Sequence, residues 1–131
     1  MSDVDRLIAA AAKAREFAHT LAAGKTVVVR VPTSHELEVS SAARPDGAEG
    51  AVVFFRQVLE RCIVGWDGIT EADLIGDAGA EADTDSAPVA YSPALVPLLL
   101  DAWPAAAADL RDALIERLAA RQARAESARK N

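Results

Sequence analysis

One cysteine, Cys62, is all the thiol chemistry this chain has. That excludes an intramolecular disulfide framework and a zinc site built from several cysteines. Aromatic residues make up only 5% of the sequence. A β-sandwich draws on many aromatic and β-branched side chains, so the scarcity favours helices packed closely on small residues. No run reaches the ~18 apolar residues of a membrane span. The start, with Asp3, Asp5 and Arg6 ahead of an Ala-rich stretch, does not read as a signal peptide. Gly-x-Ser-x-Gly and Gly-rich dinucleotide loops are missing, and His19 and His35 stand in no metal-ligand spacing. Gly24-Lys25-Thr26 has the look of a phosphate loop. However, His19 occupies the position of that loop's first glycine, and a helix pattern rather than a strand precedes it. These absences lead to the expectation of a non-enzyme with no cofactor and no metal.

Basic residues are missing from one whole region. Residues 66–101 carry eight acidic side chains and no Lys or Arg, a net −8, whereas residues 1–65 balance to zero and residues 102–131 sum to +2. Such a middle segment repels a phosphate backbone, so nucleic-acid binding is not expected there. Four of the acids, Asp77, Glu81, Asp83 and Asp85, fall in a Gly-, Ala- and Ser-rich stretch that reads as a solvated loop over 76–87. As a calcium loop it lacks the glycine at position six and the bidentate glutamate at position twelve. As a nucleic-acid mimic it lacks a rigid face along which to array the charge.

What is present is helical periodicity. Ala51, Phe54, Phe55, Val58, Leu59 and Cys62 follow the i, i+3, i+4, i+7 rhythm of a buried helix face, which places Cys62 in the core. Gly65 is expected to cap that helix, with a tight turn at Asp67-Gly68 and Trp66 held between them. Val4, Leu7, Ile8, Ala11, Ala14, Ala18 and Leu21 line one side of an amphipathic helix over residues 1–24, capped by Ser2 and ended by Gly24. Thr26 to Val31 is a β-branched run stopping at Pro32, as in a strand near a sheet edge. Thr33 three residues before Glu36 signals a capping box and a short helix from Ser34 to about Ala42. A second strand competes there, because Leu37 and Val39 alternate with Glu36, Glu38 and Ser40. Arg44 to Gly50 reads as a turn or loop, and Thr70 to Asp73 as the cap of a short helical turn. Ser92-Pro93 starts a Leu-rich helix, with Pro97 either kinking it or marking where its regular part begins. Pro104 breaks it, and a last helix follows to about Arg121. Past Leu118 the apolar stripe ends, and 119–131 is expected to be a polar tail that frays. The expected fold is one mainly α domain of four to five helices, with a short β-strand or hairpin near residues 26–31.

The order of these pieces resembles a known family. A helix, then Val64-Gly65-Trp66-Asp67-Gly68-Ile69-Thr70, an acidic loop, Pro88-Val89-Ala90-Tyr91-Ser92-Pro93 and a Leu-rich helix is similar to the tail assembly chaperones of long-tailed bacteriophages, prophages and gene-transfer particles. The likeness covers residues 25–118, opening with Val29-Arg30-Val31-Pro32-Thr33, and leaves out the first helix and much of the acidic loop. It implies a helical protein of the bacterial host cytoplasm that binds the tape-measure protein, helps recruit tail-tube subunits and leaves before the tail is complete. The alternative is a structural tail or head–tail joining component retained in the virion. Either would use apolar helix surfaces. Val4, Leu7 and Ile8, the aromatics Trp66, Tyr91 and Trp103, and Leu110 and Leu114 are the expected partner contacts, and a homo-oligomer fits the same surfaces.

Overall fold

A β-branched run such as Thr26–Val31 needs hydrogen-bonding neighbours for its backbone. The computed structural model, which describes residues 2–42, 47–76 and 87–130, supplies one on each side. Strand β1 (Glu16–Ala22) and strand β2 (Lys25–Arg30) form an antiparallel hairpin, and β3 (Ile63–Asp67) pairs antiparallel with the other edge of β2, giving the order β1-β2-β3. β2 is therefore the central strand and not an edge. Pro32 does not contradict this, because it lies beyond the end of the pairing.

The helix expected over residues 1–24 stops at Ala14: α1 spans Asp3–Ala14, and residues 16–22 are β1. Beyond Ala14 a helical stripe would bring in only Ala18 and Leu21. As a strand the same residues place Phe17 opposite Val29 and His19 opposite Val27, bury Phe17 and satisfy one whole edge of β2. Burial of a ring plus a backbone ladder outweighs a weak helical preference. A second correction concerns Gly65. It sits inside β3 opposite Val28 and caps nothing; the apolar run Ile63-Val64-Gly65-Trp66 leaves the helix directly into the sheet.

The remaining helices are α2 (Ser34–Ala42), α3 (Gly47–Cys62), α4 (Glu71–Ile75), α5 (Val96–Ala102) and α6 (Pro104–Lys130). The 34–42 segment is thus helical. A 3-10 turn, Pro93–Leu95, leads into α5, whose first turn holds Pro97 where a missing N–H costs little. The fold is mainly helical with a small antiparallel sheet. Val27, Val29 and Ile63 from the sheet, Val58, Leu59 and Cys62 from α3, and Val96, Leu99, Leu110 and Leu114 from α5 and α6 form one core. α6 continues nine residues past the expected end. Ala, Arg, Gln and Glu are strong helix formers and no Gly or Pro interrupts them, although every residue from Ala119 to Lys130 is exposed. Of the turn or loop expected over 44–50, residues 47–50 are instead the first turn of α3, whose apolar run extends back to them. Its residues 44–46, and residues 77–86 of the acidic loop with its calcium reading, lie outside the described residues. No helix among the described residues is long and apolar enough to cross a membrane.

One polar cluster locks β2 to α2. Arg30 donates from both Nη1 and Nη2 to Glu36, at 2.6 and 2.8 Å, and the Thr33–Glu36 capping box closes with N–H donors from each residue to the other's side chain. The Arg30 hydrogen bonds, helped by the Thr33 N–H and opposed by burial, hold the Glu36 carboxyl down at about 2 from an ordinary 4.5. A depressed folded value stabilises the protein above the unfolded pKa and is lost as pH falls through the folded one. Glu36→Gln should therefore lower unfolding free energy by about 1–2 kcal/mol at neutral pH, the partial exposure of both groups keeping it below the full shift. The gap to the parent chain should close between pH 4.5 and 2. Urea titrations of both proteins across that range check it; a gap that persists undiminished at the acid end would refute it.

Candidate binding surface

Two adjacent apolar residues on a helix point about 100° apart, so a run wider than one face must leave some side chains outside. Ala51-Val52-Val53-Phe54-Phe55 in α3 is such a run. Val58, Leu59 and Cys62 go into the core, Phe54 and Phe55 are half-buried with their rings edge-on at 5.2 Å, and Val52 is 68% exposed. Leu114-Ile115 in α6 divides the same way, Leu114 being fully buried and Ile115 41% exposed.

These outer residues face one another. Between α3 and the first half of α6 runs an apolar depression of about 420 Å³ lined by Val52, Phe55, Leu59, Leu100, Ala107, Ala108 and Ile115, with Arg56 and Arg111 on its walls. A second depression of about 470 Å³, lined by Leu37, Glu38, Phe54, Phe55, Ile115, Leu118 and Gln122, adjoins it; Phe55 and Ile115 belong to both. Together they form one trough along α6. Its walls are fixed from outside. Arg56 donates to Glu60 and Asp101, each at 2.8 Å, which holds the Asp101 carboxyl below its ordinary range and ties α3 to α5. On the far flank of α6, His19 Nε2 lies 2.7 Å from an Asp109 carboxylate oxygen, and the Arg117 guanidinium sits 4.7 Å from the centre of the Phe17 ring. α6 is thus pinned to the sheet on one side and open toward α3 on the other.

The residues expected to meet a partner fall into three groups. Val4, Leu7 and Ile8 are 62–65% exposed on α1, a helix with no buried residue, so that apolar face is uncovered. Leu110 and Leu114 are fully buried, which corrects their expected role: they form the floor of the core beneath the trough, and their neighbours Ala107, Arg111 and Ile115 form its surface. The aromatics are mainly structural. Trp66 Nε1–H donates to the Val89 carbonyl at 2.8 Å, Tyr91 O–H donates to the Ile63 carbonyl at 2.8 Å, and the two rings meet edge-on at 5.2 Å. With the Val89 N–H to Ile69 carbonyl bond at 2.7 Å, they fasten the chain returning at residues 88–91 onto β3. Trp103 is half-buried against the core at the corner between α5 and α6. The trough residues Val52, Phe55 and Ile115 escape a sequence reading that keeps only the inward positions of each helix; the excess width of the apolar runs is the signal that could have found them.

Cys62 and Asp73 are engaged in structure. Burial pushes the Cys62 thiol up to about 11, so it is protonated and unreactive at neutral pH. Burial also pushes Asp73 up, but hydrogen bonds from Lys25 Nζ and from the Thr70 N–H and hydroxyl outweigh it and hold the carboxyl below its ordinary range. Among the described residues, no three His, Cys, Asp or Glu side chains cluster as a metal site. Comparison with family models, with curated proteins and with solved structures finds no match to this chain.

Proposed function

We propose that the chain is an assembly chaperone of the phage-tail kind, which shelters an apolar helix of a tape-measure protein in the trough between α3 and α6. The observation that supports this reading is the trough itself. It is lined mostly by aliphatic and aromatic side chains, and Arg56 on its α3 wall is tied to Glu60 and to Asp101 of α5. Helix-in-groove recognition needs such a surface and no reacting group. The order of elements from Val29 to Leu118, similar to that of tail assembly chaperones, supplies the client class. In this reading the protein works in the bacterial cytoplasm, without catalysis, cofactor or nucleic acid, and helps bring tail-tube subunits to the client.

Co-expression with the tape-measure and tail-tube proteins encoded beside it, followed by pull-down and size exclusion, tests the reading. The chain should keep the tape-measure protein soluble and be missing from finished tails. Val52→Glu and Ile115→Glu, both at exposed positions, should each reduce the co-purified tape-measure protein by at least about tenfold while the variants stay folded. Binding to neither protein, or stoichiometric retention in the particle, defeats the proposal, the latter in favour of a structural tail component.

A further inference from the structure

Most arginines of the described residues have a partner. Arg6, Arg30, Arg56 and Arg111 pair with acids, Arg61 donates to Ser40, and Arg117 lies on the Phe17 ring. Arg15, Arg121, Arg124 and Arg129 have none among the described residues, although acidic side chains outnumber basic ones in the chain, 20 to 14. The first three of these gather at one place. Arg15 and Arg121 line a hollow of about 240 Å³ between the start of α2 and the second half of α6, together with Thr33, Ser34 and Gln122. Arg124 lines the depression next to it, which shares Arg121 and Ala125. Arg15 is half-buried, which makes an uncompensated charge costly there.

The chain supplies no acid to this hollow. No Asp or Glu is among its lining residues or those of the depression beside it. Glu36 is taken by both terminal nitrogens of Arg30, and Glu126 is turned about 140° away from Arg121 round α6. The walls are nonetheless fixed. The Arg15 carbonyl accepts from the Val31 N–H at 3.0 Å, the Arg30–Glu36 pair holds the start of α2, and Arg117 on the Phe17 ring holds α6 beside the start of β1. Donors therefore come from three elements: the Arg15 guanidinium between α1 and β1, the Thr33 and Ser34 hydroxyls before and at the start of α2, and Arg121 and Gln122 on α6. The Thr33 Oγ1 accepts from the Glu36 N–H, which leaves its own hydrogen to donate. A carboxylate offers two oxygens in one plane. A phosphate offers three or more at tetrahedral angles and up to two charges, which suits donors from several sides and forked guanidinium groups in particular. We infer that this hollow binds the phosphate group of a small ligand, either free phosphate or a phosphate monoester, with Arg15 and Arg121 as the charged clamps. The trough takes no part, so the inference goes beyond the chaperone reading and is tested apart from it.

Isothermal titration of the full chain with inorganic phosphate and with ribose 5-phosphate, in a buffer free of other oxyanions, reads the outcome. A Kd below about 1 mM is expected for at least one of them. Tighter binding of the sugar phosphate assigns the site to monoesters, and otherwise it belongs to free phosphate. Acetate should bind at least about tenfold more weakly, because it cannot use donors from all three elements. Arg15→Gln and Arg121→Gln should each weaken phosphate binding at least about tenfold, with circular dichroism unchanged. Arg121 stands on the exposed part of α6, so its variant decides the matter even where Arg15→Gln disturbs the fold. Arg129→Gln, on the same helix but outside the hollow, should bind as the parent does. Failure of both phosphates to bind overturns the inference, and so does acetate binding as tightly. A loss with Arg129→Gln as large as with Arg121→Gln overturns it too, since that marks diffuse attraction to a basic helix end.

Discussion

Gly68→Ala should cost about 3 kcal/mol or more of folding stability, enough to remove a large part of what a domain of this size has. Gly68 follows β3 at φ +80°, where an L side chain costs about 1–2 kcal/mol by itself. Steric contact costs more. A Cβ built there would lie 1.8 Å from the Gly24 carbonyl oxygen and 2.9 Å from its carbon. Both are backbone atoms of the β1–β2 hairpin tip, so no rotamer change relieves the clash and the tip must move. The tip cannot move alone, because Lys25 beside it is ion-paired to Asp73 in α4, and Ile69 beside Gly68 is fully buried. Gly24→Ala is the matched control. Gly24 has nearly the same φ, +76°, but nothing lies within 4 Å of the added atom, so its cost should stay near the conformational 1–2 kcal/mol. Urea unfolding of both variants separates the clash from the conformational cost. If the two lose the same stability, the close approach of the hairpin tip to the turn after β3 is not what holds that corner together.

That corner also shows what the sequence could and could not disclose. Asp67-Gly68 was legible as a turn because Asp-Gly supplies the positive φ a tight turn needs, and Gly68 adopts it. The capping boxes at Thr33–Glu36 and Thr70–Asp73 were legible because each is a local pattern completed within three residues, and both form. β1 was not legible. Its residues satisfy a helical stripe as well as an alternation, and the interaction that decides between them, pairing with β2, is non-local. β3 was hidden for a related reason: Gly65 next to a helix end reads as a cap until a facing strand, with Val28 opposite it, gives it another place. The candidate surface was half legible. The α1 face stood out as amphipathic, while the trough depends on how α3 and α6 are rotated against each other, which only the packed core fixes.

Leu114→Ala and Ile115→Ala, neighbours in sequence, should part by several kcal/mol. Leu114 is fully buried in the core. Removing its three outer carbons forfeits their transfer energy and leaves a cavity bounded by the sheet and the other helices, a loss of about 2–5 kcal/mol. Ile115, 41% exposed on the wall of the trough, leaves no enclosed cavity when shortened, and should cost less than about 1 kcal/mol. Thermal and urea unfolding measure the first difference. Binding then reverses the order. When client retention is measured at a temperature where both variants are folded, Ile115→Ala should weaken it and Leu114→Ala should not, because only the Ile115 side chain lies on the surface that a helix would touch. Equal losses of stability would mean that α6 is rotated differently against the sheet. A binding defect in Leu114→Ala alone would move the contact surface away from the trough, and with it the partner-binding role assigned to α3 and α6.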